Sequence, residues 1–260
     1  MFLPRIIPVL LLKDKGLVKT VRFKEPRYIG DPINAVKIFN DLKADEIIFL
    51  DITATKEGRT IFSNLVKDIG DEAFMPFGVG GGISNVVQIE QLLKAGAEKV
   101  VLNTQAFLKP RLIEEAAKIF GNSSIVVAID VKKSFWGKYQ VWIKDGSSNT
   151  KQDPLTVAKK AEDSGAGEIL INSIDLDGMM DGYDIELIKN ISDSISIPLI
   201  ACGGAGDLQH LKEGYYSGNA HALAAGSLFV YHGARNAVLI NYPSKEEIKE
   251  LFINNIHNND

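Results

Sequence analysis

Apolar runs of strand length alternate along this chain with segments whose apolar residues recur at helical spacing. This is the pattern of successive βα units around a parallel sheet. Strands are predicted near Ile6 to Leu11, Glu46 to Asp51, Phe77 to Gly80, Lys99 to Asn103, Ile125 to Asp130, Glu168 to Ser173, Leu199 to Cys202 and Ala220 to Ala225. Helices are predicted after them, at roughly Pro32 to Leu42, Arg59 to Lys67, Asn85 to Lys94, Pro110 to Phe120, Pro154 to Asp163, Asp184 to Ile191, Leu208 to Tyr216 and Lys245 to Ile253. Asp31 and Asp153 precede prolines suited to the first helical position, and Ser84 and Ser244 are suited to capping. Eight such units predict a closed (β/α)8 TIM barrel in preference to an open doubly wound sheet.

The pattern also repeats. Pro76-Phe77-Gly78-Val79-Gly80-Gly81-Gly82-Ile83-Ser84 reads as a copy of Pro198-Leu199-Ile200-Ala201-Cys202-Gly203-Gly204-Ala205-Gly206, at an offset of 122 positions. The same offset relates Asp31-Pro32 to Asp153-Pro154, Glu46-Ile47 to Glu168-Ile169, and Gly96 to Gly218. Two structurally equivalent half-barrels are therefore expected, about 1–122 and 123–253. No linker rich in proline, glycine or serine divides them, so one domain over 1–260 is expected.

Composition narrows the choice of partner. A formal charge of −4 over 260 residues gives no electrostatic reason to expect nucleic acid. An acidic small ligand has to be met by local cradles instead. The single cysteine excludes an intramolecular disulfide and suits a reducing compartment. The apolar run Ile6 to Leu12 is too short to span a membrane, and a charged loop rather than a small-residue cleavage site follows it. No membrane association and a cytoplasmic location are expected. His210, His221, His232 and His257 make no metal-ligand spacing, and neither a metal nor a cofactor is expected. Cys202, inside a strand, reads as a small buried apolar residue.

Barrels of this kind bind their ligands at the C-terminal ends of the strands. Leu11, Asp51, Gly80 to Gly82, Asn103-Thr104, Asp130, Ser173 with Asp175 and Asp177, Gly203-Gly204 and Ala225-Gly226-Ser227 stand there. A glycine after a strand lets backbone N–H groups approach an anion, and the following helix N-terminus favours it. Gly203-Gly204 with Gly226-Ser227 forms one candidate phosphate cradle, and Gly80 to Gly82 with Asn103-Thr104 forms its half-turn counterpart. A ligand with phosphates at both ends would fit; the plainer alternative is glycines that only make tight turns. Asp130 is a candidate general acid or base, because partial burial raises a carboxylate's pKa toward the working range. A structural pair with Lys132 is the alternative. The half-repeat partner of Asp130 is Leu11, which moves no proton.

The ordered motifs Arg5-Ile6-Ile7, Lys13-Asp14, Val18-Lys19, Gly30-Asp31-Pro32, Phe49-Leu50-Asp51-Ile52-Thr53-Ala54, Val79-Gly80-Gly81-Gly82-Ile83, Asn103-Thr104, Val126-Val127-Ala128-Ile129-Asp130, Gly165-Ala166-Gly167-Glu168-Ile169-Leu170, Ser173-Ile174-Asp175 with Asp177-Gly178, Gly182-Tyr183-Asp184, and Gly203-Gly204-Ala205-Gly206 carry a resemblance. Over roughly residues 1 to 253 the chain resembles the cyclase subunit (HisF) family of imidazole glycerol phosphate synthase. The resemblance implies two phosphate sites, and a HisH-like glutaminase that docks on the N-terminal face and sends ammonia through the barrel. It places substrate phosphate contacts on Gly82, Asn103, Thr104, Asp177, Gly178, Gly203, Gly204 and Ser227, and a catalytic lid lysine on Lys19. It places an ammonia entrance on Arg5, Glu46, Lys99 and Glu168, which could equally be ion pairs capping the barrel bottom, and a partner contact on Glu98. Of the family's two catalytic aspartates, one is Asp130 and the other position holds Leu11. Asp14 is no relocated replacement, because the family also has aspartate there.

The retained charged ring and the lost aspartate point to HisF-like proteins that accompany a glutaminase and a sugar amidotransferase in making acetamidino sugars of surface polysaccharides. Ammonia delivery to a phosphorylated small-molecule ligand is then expected, and stand-alone cyclisation is not. The competing readings are a working cyclase of histidine biosynthesis and a phosphate-binding scaffold without chemistry. A second carboxylate brought in from elsewhere on the rim would count against the first reading. The insertion Ser134 to Thr150, with Trp136, Tyr139 and Trp142, reads as a small hairpin over the same face, either docking a third component or packing on the barrel. Lys13, Lys15, Lys19 and Arg22 read as a basic first loop.

Overall fold

Strand residues alternate between two apolar environments, and that alternation builds the molecule. In the first strand Ile6 and Leu10 face the surrounding helices, whereas Ile7 and Val9 face inward with Ile48, Val101, Val126, Leu170 and Ile200. In the computed structural model, which describes residues 3–233 and 235–253, the strands are Arg5–Lys13, Ile47–Asp51, Phe77–Gly80, Lys99–Leu102, Ile125–Lys133, Glu168–Ser173, Leu199–Cys202 and Ala222–Ala225. Each runs parallel to the next, and the register Arg5↔Ala222 joins the first to the eighth. The sheet is thus a closed (β/α)8 TIM barrel. His257 and the extreme termini of the expected domain lie outside the described residues.

Helices Pro32–Asp41, Ser63–Glu72, Val86–Lys94, Arg111–Phe120, Pro154–Asp163, Ile185–Ser192, Leu208–Tyr216 and Lys245–Phe252 cover the outside. The repeat is visible in their starts. Asp31 accepts from the Asn34 amide at 2.9 Å and Asp153 from the Thr156 amide at 2.8 Å, each ahead of a proline. Such a cap stabilises a helix by about 1 kcal/mol. Ser244 forms a reciprocal capping box with Glu247.

The structure corrects the sequence reading in several places. The basic first loop is a hairpin: Gly16–Val21 pairs antiparallel with the end of the first strand and with Lys24–Gly30. The second helix starts at Ser63 rather than Arg59, because Arg59 is held in the preceding loop by Asp51. Asn85, not Ser84, caps the third. Short helices Thr104–Leu108 and Ser227–Val230 follow the fourth and eighth strands, too brief to leave a periodic signal. The insertion, by contrast, is the hairpin expected, with Tyr139–Ile143 pairing with the extended fifth strand. Its Tyr139 hydroxyl donates to Asp184 at 2.8 Å, while Phe135 and Trp136 stay exposed.

Candidate functional site: two ends of one barrel

Arg5, Lys99 and Glu168 occupy inward positions at the N-terminal ends of strands, and Glu46 stands just before another. They close into a ring of alternating charge. Arg5 bonds Glu46, and its other nitrogen reaches Glu168 at 2.7 Å; Lys99 Nζ lies 3.0 Å from both Glu46 oxygens and 3.2 Å from Glu168 Oε2. Burial works against the charge of Arg5, but Glu168 and Glu46 outweigh it and raise its pKa. Every carboxylate in the ring is paired twice, the arrangement in which buried charge is tolerated. Glu98 is exposed beside it and takes the Phe77 amide at 2.8 Å.

The inward register that begins at the ring ends at the opposite rim. Stepping by two from Arg5 reaches Leu11, from Lys99 reaches Asn103, and from Glu168 reaches Asn172. Between the ends lie the inward apolar residues, and above them a cavity of about 470 Å³. Leu11, Lys19, Gly82, Asn103, Thr104, Asp130, Asp177, Gly178, Gly203, Gly204 and Ser227 all line it. Every rim residue singled out by the family resemblance therefore meets in one space.

The two glycine turns both take the positive-φ backbone. Gly81 and Gly82 have φ of +129° and +63°, and their counterparts Gly203 and Gly204 have +84° and +118°. A Cβ on Gly82 would collide with the Arg59 carbonyl oxygen, and one on Gly204 with that of Gly182. Only glycine fits there, so tight turning alone accounts for these residues' backbone, while their position leaves the turns open to the cavity. Thr104 and Ser227 each begin a short helix beside them. Lys19 is buried, with its Nζ where a side chain on Gly226 would have to stand. Asp177 sits nearby and accepts from the Thr20 hydroxyl at 3.3 Å. Burial raises its pKa while Lys19 and Thr20 oppose the rise.

Asp130 does not pair with Lys132, whose ammonium lies over the Trp142 ring at 5.4 Å. Asn103 Nδ2 donates to Asp130 at 2.9 Å instead. Burial, then the charge of Asp145, push the Asp130 carboxyl up to about 7, against the pull of Asn103. A group poised there exchanges a proton near neutrality. Leu11 faces the same cavity and brings no second proton carrier. The Cys202 thiol is driven by burial up to about 12 and stays protonated.

Two rim residues escaped the sequence reading. Asn172 is buried, and its Oδ1 has no hydrogen-bond partner. The signal was available, because Asn172 is in phase with Glu168 at the bottom of the same strand. Asp145 enters the cavity from the hairpin after the fifth strand, with Oδ2 buried and unpartnered. Burial lifts its pKa to about 6, with Lys56 opposing and Asp51 adding. It is a further rim carboxylate, but it comes from the hairpin beside Thr104 rather than from the first strand. Nothing in its sequence neighbourhood distinguished it from turn aspartates. Among the described residues no group of three or more His, Cys, Asp or Glu side chains is placed to hold a metal, and no helix is long and apolar enough to cross a membrane.

Residues 5–235 match the family described as histidine biosynthesis protein. The chain belongs to that family, among its HisF-like members. It is 46% identical over 244 residues, 94% of the chain and 97% of the relative, to a protein of Pseudomonas aeruginosa provisionally named imidazole glycerol phosphate synthase subunit hisF2. A similarly named HisF of Leptospira interrogans is 46% identical over 253 residues, 97% of the chain and all of the relative. An imidazole glycerol phosphate synthase subunit HisF of Alkaliphilus metalliredigens is 42% identical over 232 residues, 89% and 92% of the two chains.

Proposed function

We propose that this chain is the synthase subunit of a cytoplasmic glutamine amidotransferase complex. It receives ammonia from a HisH-like glutaminase on the N-terminal face, near Glu98, and conveys it through the barrel. The acceptor is a phosphorylated or nucleotide-linked sugar of a surface glycan, amidinated with a sugar amidotransferase as third component. One observation carries the reading. A fully paired charged ring at one end shares its inward register with a cavity at the other, and in that cavity Asp130 faces Leu11 rather than a second aspartate.

Each part has a physical role in the proposal. Charged ammonium is costly in an apolar interior, whereas neutral ammonia passes with a far smaller desolvation penalty. The ring of paired side chains admits the neutral molecule when one pair opens. At the rim, the unpartnered Asn172 Oδ1 accepts an N–H of the arriving nitrogen; the amidotransferase activates the sugar's amide oxygen as a leaving group, ammonia displaces it as the C–O bond breaks, and Asp130 takes the proton released. Lys19, Gly203, Gly204 and Ser227 hold the phosphate. Ring closure of the cyclase kind needs a cooperating proton couple, and general acid–base catalysis is worth roughly 10²–10⁴ in rate.

A second reading, a working cyclase giving imidazole glycerol phosphate, draws support from Asp145, which puts another carboxylate in the cavity. Turnover with ammonium salt and the histidine-pathway precursor separates the two. The proposed function expects wild-type turnover near background and a rise of at least tenfold in Leu11→Asp. Robust wild-type turnover that Asp145→Asn abolishes would establish the cyclase instead.

A further inference from the structure

The two cradles are equivalent in the half-repeat but are faced by different groups: a Lys19 and Asp177 pair at one, the Asp145 carboxylate at the other. Over Gly203, Gly204 and Ser227 stands Lys19, buried, with its ammonium against Gly226. Over Gly81, Gly82 and Thr104 stands Asp145. It is fixed there: the adjoining Lys144 amide donates to Thr104 Oγ1 at 3.0 Å, and both Lys144 and Asp145 adopt the left-handed backbone at φ +54°. On that side Arg59 bonds Asp51 at 2.6 Å and Glu57 at 2.7 Å, and exposed Lys56 acts on Asp145. A phosphate placed in this cradle would meet a carboxylate in a partly buried site, where like charges repel strongly. It would also find the Thr104 hydroxyl proton already donated to Asn103 Oδ1 at 3.3 Å.

The unmet polar atom on that side calls for the opposite kind of group. Asp145 Oδ2 is a buried acceptor without a partner on the cavity wall, and it needs a donor from the ligand. Asn172 Oδ1, the acceptor assigned above to the arriving nitrogen, stands against Gly203 on the other side. Hydroxyl, amine and amidine groups supply donors, and a phosphate dianion supplies none.

We infer that this chain takes a ligand with a single phosphoryl end, held at the Lys19 and Ser227 cradle, and that Asp145 converts the opposite cradle into a site for a hydroxyl- or amine-bearing sugar end. The inference rests on the proposed function's premise that the cavity receives a phosphorylated ligand. It makes Asp145 a specificity residue and disfavours a substrate phosphorylated at both ends.

Crystals of the full chain soaked in selenate, an oxyanion visible by its anomalous signal, test this directly. Selenate should occupy the Gly203, Gly204 and Ser227 cradle alone, and Lys19→Met should lose it. Asp145→Asn, which tolerates the left-handed backbone, should admit a second selenate at Gly82 and Thr104, and Asp145→Gly should do the same. Selenate in the first cradle of the wild type, or neither variant admitting it, overturns the inference while leaving the proposed function standing. Selenate in neither cradle of any variant overturns the phosphorylated-ligand premise as well.

Discussion

The two ends of this barrel hold comparable numbers of charged side chains in opposite states of satisfaction. At the bottom Arg5, Glu46, Lys99 and Glu168 bond one another completely. At the top Asp130 is held near neutrality by burial, and Asp145 and Asn172 each keep a buried oxygen without a partner. Unpartnered buried polar atoms cost free energy, so the top carries a penalty that the bottom does not. The difference predicts opposite signs when a charge is removed from each end.

The largest effect is expected at the bottom. Lys99→Met leaves Glu46 and Glu168 facing each other with Arg5 alone between them, and should destabilise the fold by about 3–5 kcal/mol in denaturant unfolding. A loss below about 1 kcal/mol would mean that the ring opens readily to solvent. At the top, Asp130→Asn should stabilise. The folded-state pKa of Asp130 is raised above its ordinary value, so the wild type is most stable when the carboxyl is protonated in both states, below about pH 4. It loses that contribution as pH climbs toward 7. Asp130→Asn should therefore exceed the wild type by roughly 2–4 kcal/mol at pH 8, with the gain vanishing at pH 4. A gain independent of pH would assign the effect to packing.

The scaffold was largely legible because duplication and period-two burial both leave marks in a sequence. Glycine turns, caps followed by proline and the Glu46 and Glu168 pair recur at the offset of 122 positions, and the closed barrel places them where that spacing implies. The first hairpin was not legible: its second strand is polar and mostly exposed, its first is short, and the pairing is made with the end of the first barrel strand. Asp145 was hidden for a related reason. Its burial comes from a turn anchored to Thr104, forty residues away in sequence. Local composition records which residues prefer turns, and it does not record what the turn is folded against. The alternative pairing of Asp130 with Lys132 does not form, because Asn103 holds the carboxylate and the Lys132 ammonium lies over the Trp142 ring instead.

The central claim is that nitrogen travels inside the barrel from the paired ring to the rim. Glutamine labelled with nitrogen-15 in its amide, supplied in excess unlabelled ammonium to the proposed complex of this chain with a glutaminase and a sugar amidotransferase, tests it. The account predicts that the aminated sugar keeps the glutamine label nearly undiluted, and that Lys99→Met lets the label wash out. A product carrying the isotopic composition of the bulk ammonium in the wild type would contradict it.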